Sequence, residues 1–120
     1  MHRVVLADDE RHIRFMIKSA LSLAGFEVVG EAANGREALE IYLRERPDLI
    51  MLDINMPLMT GDKALEAIVK EDPSALVVML TSVSDMESVE ACLALGASDF
   101  IRKDTPLPEL VEIVRGVLQA

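Results

Sequence analysis

The stretch Leu49-Ile50-Met51-Leu52-Asp53-Ile54-Asn55-Met56-Pro57-Leu58-Met59-Thr60-Gly61 sets an unbroken apolar run against a carboxylate, then turns. A short continuous apolar run suits a strand covered on both faces, as strands of parallel sheets are. The pattern recurs: Val4-Val5-Leu6-Ala7 runs into Asp8-Asp9, Leu76-Val77-Val78-Met79-Leu80 into Thr81-Ser82, and Asp99-Phe100-Ile101-Arg102 into Lys103. A fifth stretch, Phe26 to Glu31, reads as a half-buried strand.

Helical spacing fills the intervals. Ile13, Ile17, Ala20, Leu21 and Ala24 share a face, and Gly25 stops that helix. Asn34-Gly35 reads as a turn, followed by a helix from Glu37 to Arg46 that Pro47 ends. Gly61 opens a third helix, and Asp72-Pro73-Ser74 breaks the chain before the next strand. Asp85 is placed to cap a fourth helix, carrying Met86, Val89 and Leu93 and stopped by Gly96. Pro108 starts a fifth. Five strand–helix units with right-handed crossovers predict an α/β fold of the doubly wound, flavodoxin-like (βα)5 type. Its five-stranded parallel sheet takes the order 2-1-3-4-5, with helices on both faces. That order puts strand one beside strand three. Asp8, Asp9 and Asp53 then meet at the carboxyl edge, where open α/β sheets bind ligands.

The 120 residues suit one domain spanning positions 1–120. At 51% apolar the chain is not disordered, and at 3% aromatic its core is aliphatic. Met56, Met59 and Met79 read as gap-filling core. A net charge of −9 argues against direct nucleic-acid binding and suits a cation site or basic partners. No apolar stretch approaches the ~20 residues needed to span a bilayer, so no membrane insertion is expected. The first residues lack a signal-peptide core, which makes a cytoplasmic location the default. The single Cys92 has no internal disulfide partner and reads as a small buried hydrophobe.

Three carboxylates at one edge raise each other's pKa unless a cation joins them. Taken singly, each polar end has an ordinary explanation. Asp8, Asp9 and Glu10 suit a helix N-terminus, Lys103 a solvated loop and Thr81 a strand end. Taken together they resemble a known family. Asp-Asp after strand one, Asp-x-x-Met-Pro-x-Met-x-Gly after strand three, Thr-Ser after strand four and Lys after strand five are similar to the receiver domain of two-component response regulators, the CheY-like type above all. The resemblance covers essentially the whole chain. It implies that Asp53 accepts a phosphoryl group from a histidine kinase or phosphotransfer protein. Asp9, Asp53 and the backbone carbonyl of Asn55 are then Mg²⁺ ligands, with Mn²⁺ a possible substitute and Asp8 a supporting acid. Thr81 and Lys103 meet the phosphoryl oxygens. Thr81 and Phe100 form the switch, and an output partner docks on the face of helix 4, strand 5 and helix 5. For Phe100, ordinary core packing is as good a reading as switching. Asn55 and Val83 are expected to tune the lifetime of the phosphorylated form, self-phosphorylation and self-dephosphorylation being the only catalysis implied.

One departure stands out. Family members often have Lys-Pro with a cis bond, whereas Lys103 precedes Asp104 here. A non-proline cis bond costs about 2.5–4 kcal/mol, so a trans bond and a different loop path, or a strained cis bond, are expected. Asp104 is also placed to compete for Lys103. Two other function classes fit less well. An aspartyl-nucleophile phosphatase needs an acid two residues past Asp53, where Asn55 cannot shuttle a proton. A flavodoxin-like cofactor binder needs a phosphate-cradling loop where Asp8-Asp9-Glu10 stands.

Overall fold

A computed structural model describes residues 1–120. The elements run β1 (Arg3–Ala7), α1 (Arg11–Leu23), β2 (Glu27–Ala32), α2 (Gly35–Glu45), β3 (Leu49–Asp53), α3 (Gly61–Glu71) and β4 (Val77–Thr81). A 3-10 turn (Val83–Ser88), α4 (Val89–Leu95), β5 (Asp99–Arg102) and α5 (Leu107–Gln119) complete the chain. The sheet is parallel throughout, in the order β2-β1-β3-β4-β5. This is the doubly wound arrangement expected from the alternation of apolar runs and helical patterns.

Every residue of β3 and β4 is buried. Alternate side chains sort to opposite faces, as the pleat requires. Val5, Ala7, Ile50, Leu52, Val77 and Met79 pack with α2, α3 and α4. Val4, Leu6, Leu49, Met51, Val78 and Leu80 pack with α1 and α5. No helix is long and apolar enough to cross a membrane.

Three local expectations are corrected. The second helix begins at Gly35 rather than Glu37. Asn34 caps it by accepting from the Glu37 N–H (2.9 Å), and the Glu37 carboxylate reaches back to the Ala33 N–H (2.9 Å). β2 begins at Glu27, one residue past Phe26, which turns into the apolar layer under α1. Asp85 caps no α-helix. It sits inside a 3-10 turn, and α4 starts only at Val89, without a side-chain cap.

Register brings the polar ends together. Ala7 pairs with Leu52, Asp53 with Leu80 and Thr81 with Arg102. Asp8, Asp53, Ser82 and Lys103 therefore leave the sheet along one edge. Past Asp53 the loop bends at Leu58, whose φ of 65° lies in the left-handed region and lets the Met59 N–H reach the Pro57 carbonyl (2.7 Å). Gly61 then passes so close to the Asp53 backbone that a Cβ there would collide with the Asp53 carbonyl oxygen. The start of α3 is thereby seated directly on the acidic strand end.

Candidate functional site

Each side chain of the edge is held by its own strand end. The Asp8 N–H bonds the Ala32 carbonyl (3.0 Å), and Asp8 Oδ1 accepts from the Glu10 N–H (2.8 Å). The Arg14 guanidinium donates to the Asp8 carbonyl (2.6 Å). Asp53 Oδ1 accepts weakly from the Asn55 N–H (3.3 Å). The Lys103 N–H bonds the Thr81 carbonyl (2.8 Å), which aims the lysine back across the edge. Its Nζ lies 2.9 Å from Asp8 Oδ2, 3.1 Å from Asp53 Oδ2 and 3.4 Å from Glu10 Oε1.

Asp104 does not compete for that ammonium. It forms a two-point pair with Arg102, at 3.0 Å and 2.7 Å. All peptide bonds are trans, that between Lys103 and Asp104 included.

The electrostatics are lopsided. Asp8 is fully buried and Asp53 is 2% exposed. Burial and the neighbouring Asp8 push the Asp53 carboxyl up to about 7, although Lys103 pulls the other way. Burial works against the Lys103 ammonium, but Asp8 and Asp53 outweigh it and raise its pKa. Asp8 Oδ2 has the ammonium nearby yet receives no aligned hydrogen bond. Asp8, Asp9 and Glu10 bring carboxylate oxygens within 4.8 Å of one another. An all-oxygen donor set with surplus negative charge and an unsatisfied buried oxygen fits a hard divalent cation.

The fully buried Asp8 lies behind a cleft of about 240 Å³ lined by polar residues only. Asp9, Asp53, Asn55 and Lys103 line it. Thr81 does not: it is fully buried, and its hydroxyl donates to the Ser82 carbonyl (2.9 Å). Val83 is 65% exposed and lies outside the lining. Phe100 is half-buried against the apolar layer under α2, α3 and α4. Glu10, Ser82, Ser84 and Asp85 line the cleft without having been assigned to it. Glu10 does more than begin α1 as an acid: its carboxylate turns to Lys103. The serines gave no periodic signal, because a 3-10 turn points side chains differently from an α-helix. A larger groove of about 640 Å³ lies between α1 and α5, walled mainly by apolar side chains such as Phe15 and Leu23, and takes no part in this chemistry.

Residues 4–115 match the family described as the response regulator receiver domain. The chain is 39% identical to the chemotaxis protein CheY of Thermotoga maritima over 96% of both chains. It superposes on the signal receiver domain of the response regulator NarL from Mycobacterium tuberculosis with a TM-score of 0.93, at 33% identity, covering 99% of this chain and 97% of that one. The CheY of a CheX–CheY–BeF3–Mg²⁺ complex from Borrelia burgdorferi matches with a TM-score of 0.91 and 30% identity, over 97% of this chain and 88% of that one. With that sheet order and these matches along nearly its whole length, the chain belongs to the response regulator receiver domain family.

Proposed function

We propose that this chain is a single receiver domain that takes a phosphoryl group on Asp53. The observation that carries the reading is Lys103 Nζ, which stands within 3.1 Å of both Asp8 and Asp53 at the rim of one polar cleft. An anionic nucleophile beside an ammonium, with further acids to hold a cation, is what phosphoryl transfer asks for, since that reaction is mostly positioning and charge neutralisation. Asp9, Asp53 and the Asn55 carbonyl would hold Mg²⁺ or Mn²⁺, with Asp8 in support. When bound, the ion offsets the repulsion between the carboxylates and an incoming phosphoryl group.

The chain's own residues do the rest. An Asp53 carboxylate oxygen attacks phosphorus. The P–N bond of a phosphohistidine, or the P–O bond of a small acyl phosphate, breaks with its electron pair going to the leaving group. An acyl phosphate on Asp53 results. The Lys103 ammonium moves from Asp53 Oδ2 to a phosphoryl oxygen. The Thr81 hydroxyl turns from the Ser82 carbonyl to another, and Phe100 shifts into the space Thr81 leaves. That movement reshapes the face of α4, β5 and α5 for an output partner, by as much as the partner's affinities for the two shapes differ. Water entering in line with the phosphoryl group reverses the modification. Asn55, in the cleft wall, and the exposed Val83, two residues past Thr81, set how readily water arrives. The donor is a histidine kinase or phosphotransfer protein.

Titration with beryllofluoride and Mg²⁺, followed by amide NMR, tests the switch. Shifts at Asp53, Thr81, Lys103 and Phe100 that need both reagents are expected. Shifts confined to Asp8, Asp9 and Glu10 would contradict it.

A further inference from the structure

The 3-10 turn after β4 places a short hydrogen-bond chain against the cleft. Ser82 Oγ donates to Asp85 Oδ2 at 2.9 Å and lies 2.9 Å from Ser84 Oγ. A hydroxyl has one proton to give. With the Ser82 proton on Asp85, the Ser84 hydroxyl donates to Ser82. Both protons of the chain therefore run toward the carboxylate and neither toward Asp53. All three residues nevertheless line the cleft that holds Asp53 and Lys103.

A phosphoryl group on Asp53 brings about −1.5 to −2 charges and oxygens that seek donors. It would meet Asp85 as a like charge. It would also find the two serine hydroxyls that line the cleft already committed. No cationic side chain pairs with Asp85: Lys103 is taken by Asp8, Asp53 and Glu10, and Arg102 by Asp104.

We propose that Asp85 is a positioning residue that holds the Ser82 and Ser84 hydroxyls away from the phosphoryl group and so sets how readily this site is modified. The inference rests on Asp53 being the acceptor. In the resting form Asp85 draws the hydroxyls to itself. On modification the hydroxyls must leave it, and the carboxylate must swing outward into solvent. The cost of that exchange favours the resting form.

The test is beryllofluoride affinity at Mg²⁺ concentrations that saturate each variant, with thermal unfolding to confirm the fold. Asp85→Ala loses both the charge and the acceptor. It should bind about fivefold tighter than wild type, the scale of one typical hydrogen bond, since this chain of bonds is partly open to solvent. Asp85→Asn keeps an acceptor for Ser82 but no charge, and should fall between the two. In a Ser82→Ala background the gain from Asp85→Ala should shrink to that of Asp85→Asn. If Asp85→Ala does not fold, Asp85→Asn alone must still bind tighter than wild type. Equal gains from Ala and Asn, undiminished by Ser82→Ala, would overturn the positioning role, as would variants that bind no tighter than wild type. Wild type that binds no beryllofluoride at all would overturn the acceptor reading together with this one.

Discussion

Asp53→Asn should make the cation-free protein more stable, and only above a definite pH. In the unfolded chain this carboxyl has an ordinary value of 3.8, whereas burial beside Asp8 pushes it up to about 7 in the fold. Between those values the folded form keeps a proton that the unfolded form has lost, so folding stability falls as pH rises through this window. Below it nothing is lost, and above it the loss is complete. The interval corresponds to about 4 kcal/mol. An amide escapes that loss but gives back part of it. Its NH2 can approach the unsatisfied Asp8 Oδ2, yet it also faces the Lys103 ammonium. A net gain of about 2 kcal/mol at about pH 8 is the outcome to test; near pH 4.5 only about a quarter of the loss has developed while the part given back is unchanged, so there the variant should fall about 1 kcal/mol below wild type. Urea unfolding with a chelator present is the assay. For a domain of this size the gain would move the midpoint up by about 1 M. Adding Mg²⁺ should narrow the difference, because an ion that binds only the wild-type fold stabilises it by about 2.7 kcal/mol at a hundredfold excess over its Kd. A variant less stable than wild type near pH 8, or equally stabilised near pH 4.5, would refute the reasoning.

Lys103→Met removes the ammonium that faces three carboxylates and should cost about 2 kcal/mol near pH 8, less near pH 5 where Asp53 is protonated, as chemical denaturation would register. Gly61→Ala drives a Cβ into the Asp53 carbonyl and should cost about 3 kcal/mol while lowering phosphoryl uptake, measured by unfolding and by labelling. Substitution of Asn55 should change the decay rate of phosphorylated protein several-fold, at least as much as substitution of Val83, because only Asn55 lines the cleft; radiolabel loss over time gives both rates. Phe100→Ala should leave labelling of Asp53 intact while abolishing beryllofluoride-induced NMR shifts on α4 and α5.

The sheet was legible because its central strands are unbroken apolar runs that admit only a doubly covered parallel arrangement. The meeting of Asp8, Asp53 and Lys103 followed from strand order, since each stands one step past or at the end of a strand. The turn after β4 was not legible. Val83-Ser84-Asp85-Met86-Glu87-Ser88 has apolar residues at plausible helical positions, but its serines and aspartate bond one another and compete with α-helical geometry. Asp85 consequently faces the cleft instead of capping α4. The start of α2 was misjudged for a related reason: Asn34-Gly35 has a turn-like composition, yet Asn34 serves as a cap. The orientation of the Thr81 hydroxyl lies beyond any sequence pattern, because its partner is the adjacent carbonyl of Ser82 and depends on local torsions.

The central claim is that Asp53 is the nucleophile. Incubation with acetyl phosphate and Mg²⁺, followed by intact-mass and peptide mass spectrometry on wild type and Asp53→Asn, tests it most directly. A single phosphoryl group on Asp53, dependent on Mg²⁺ and missing from the variant, is the predicted result. Undiminished labelling of the variant, or a label mapped to Asp8 or Asp9, would contradict it.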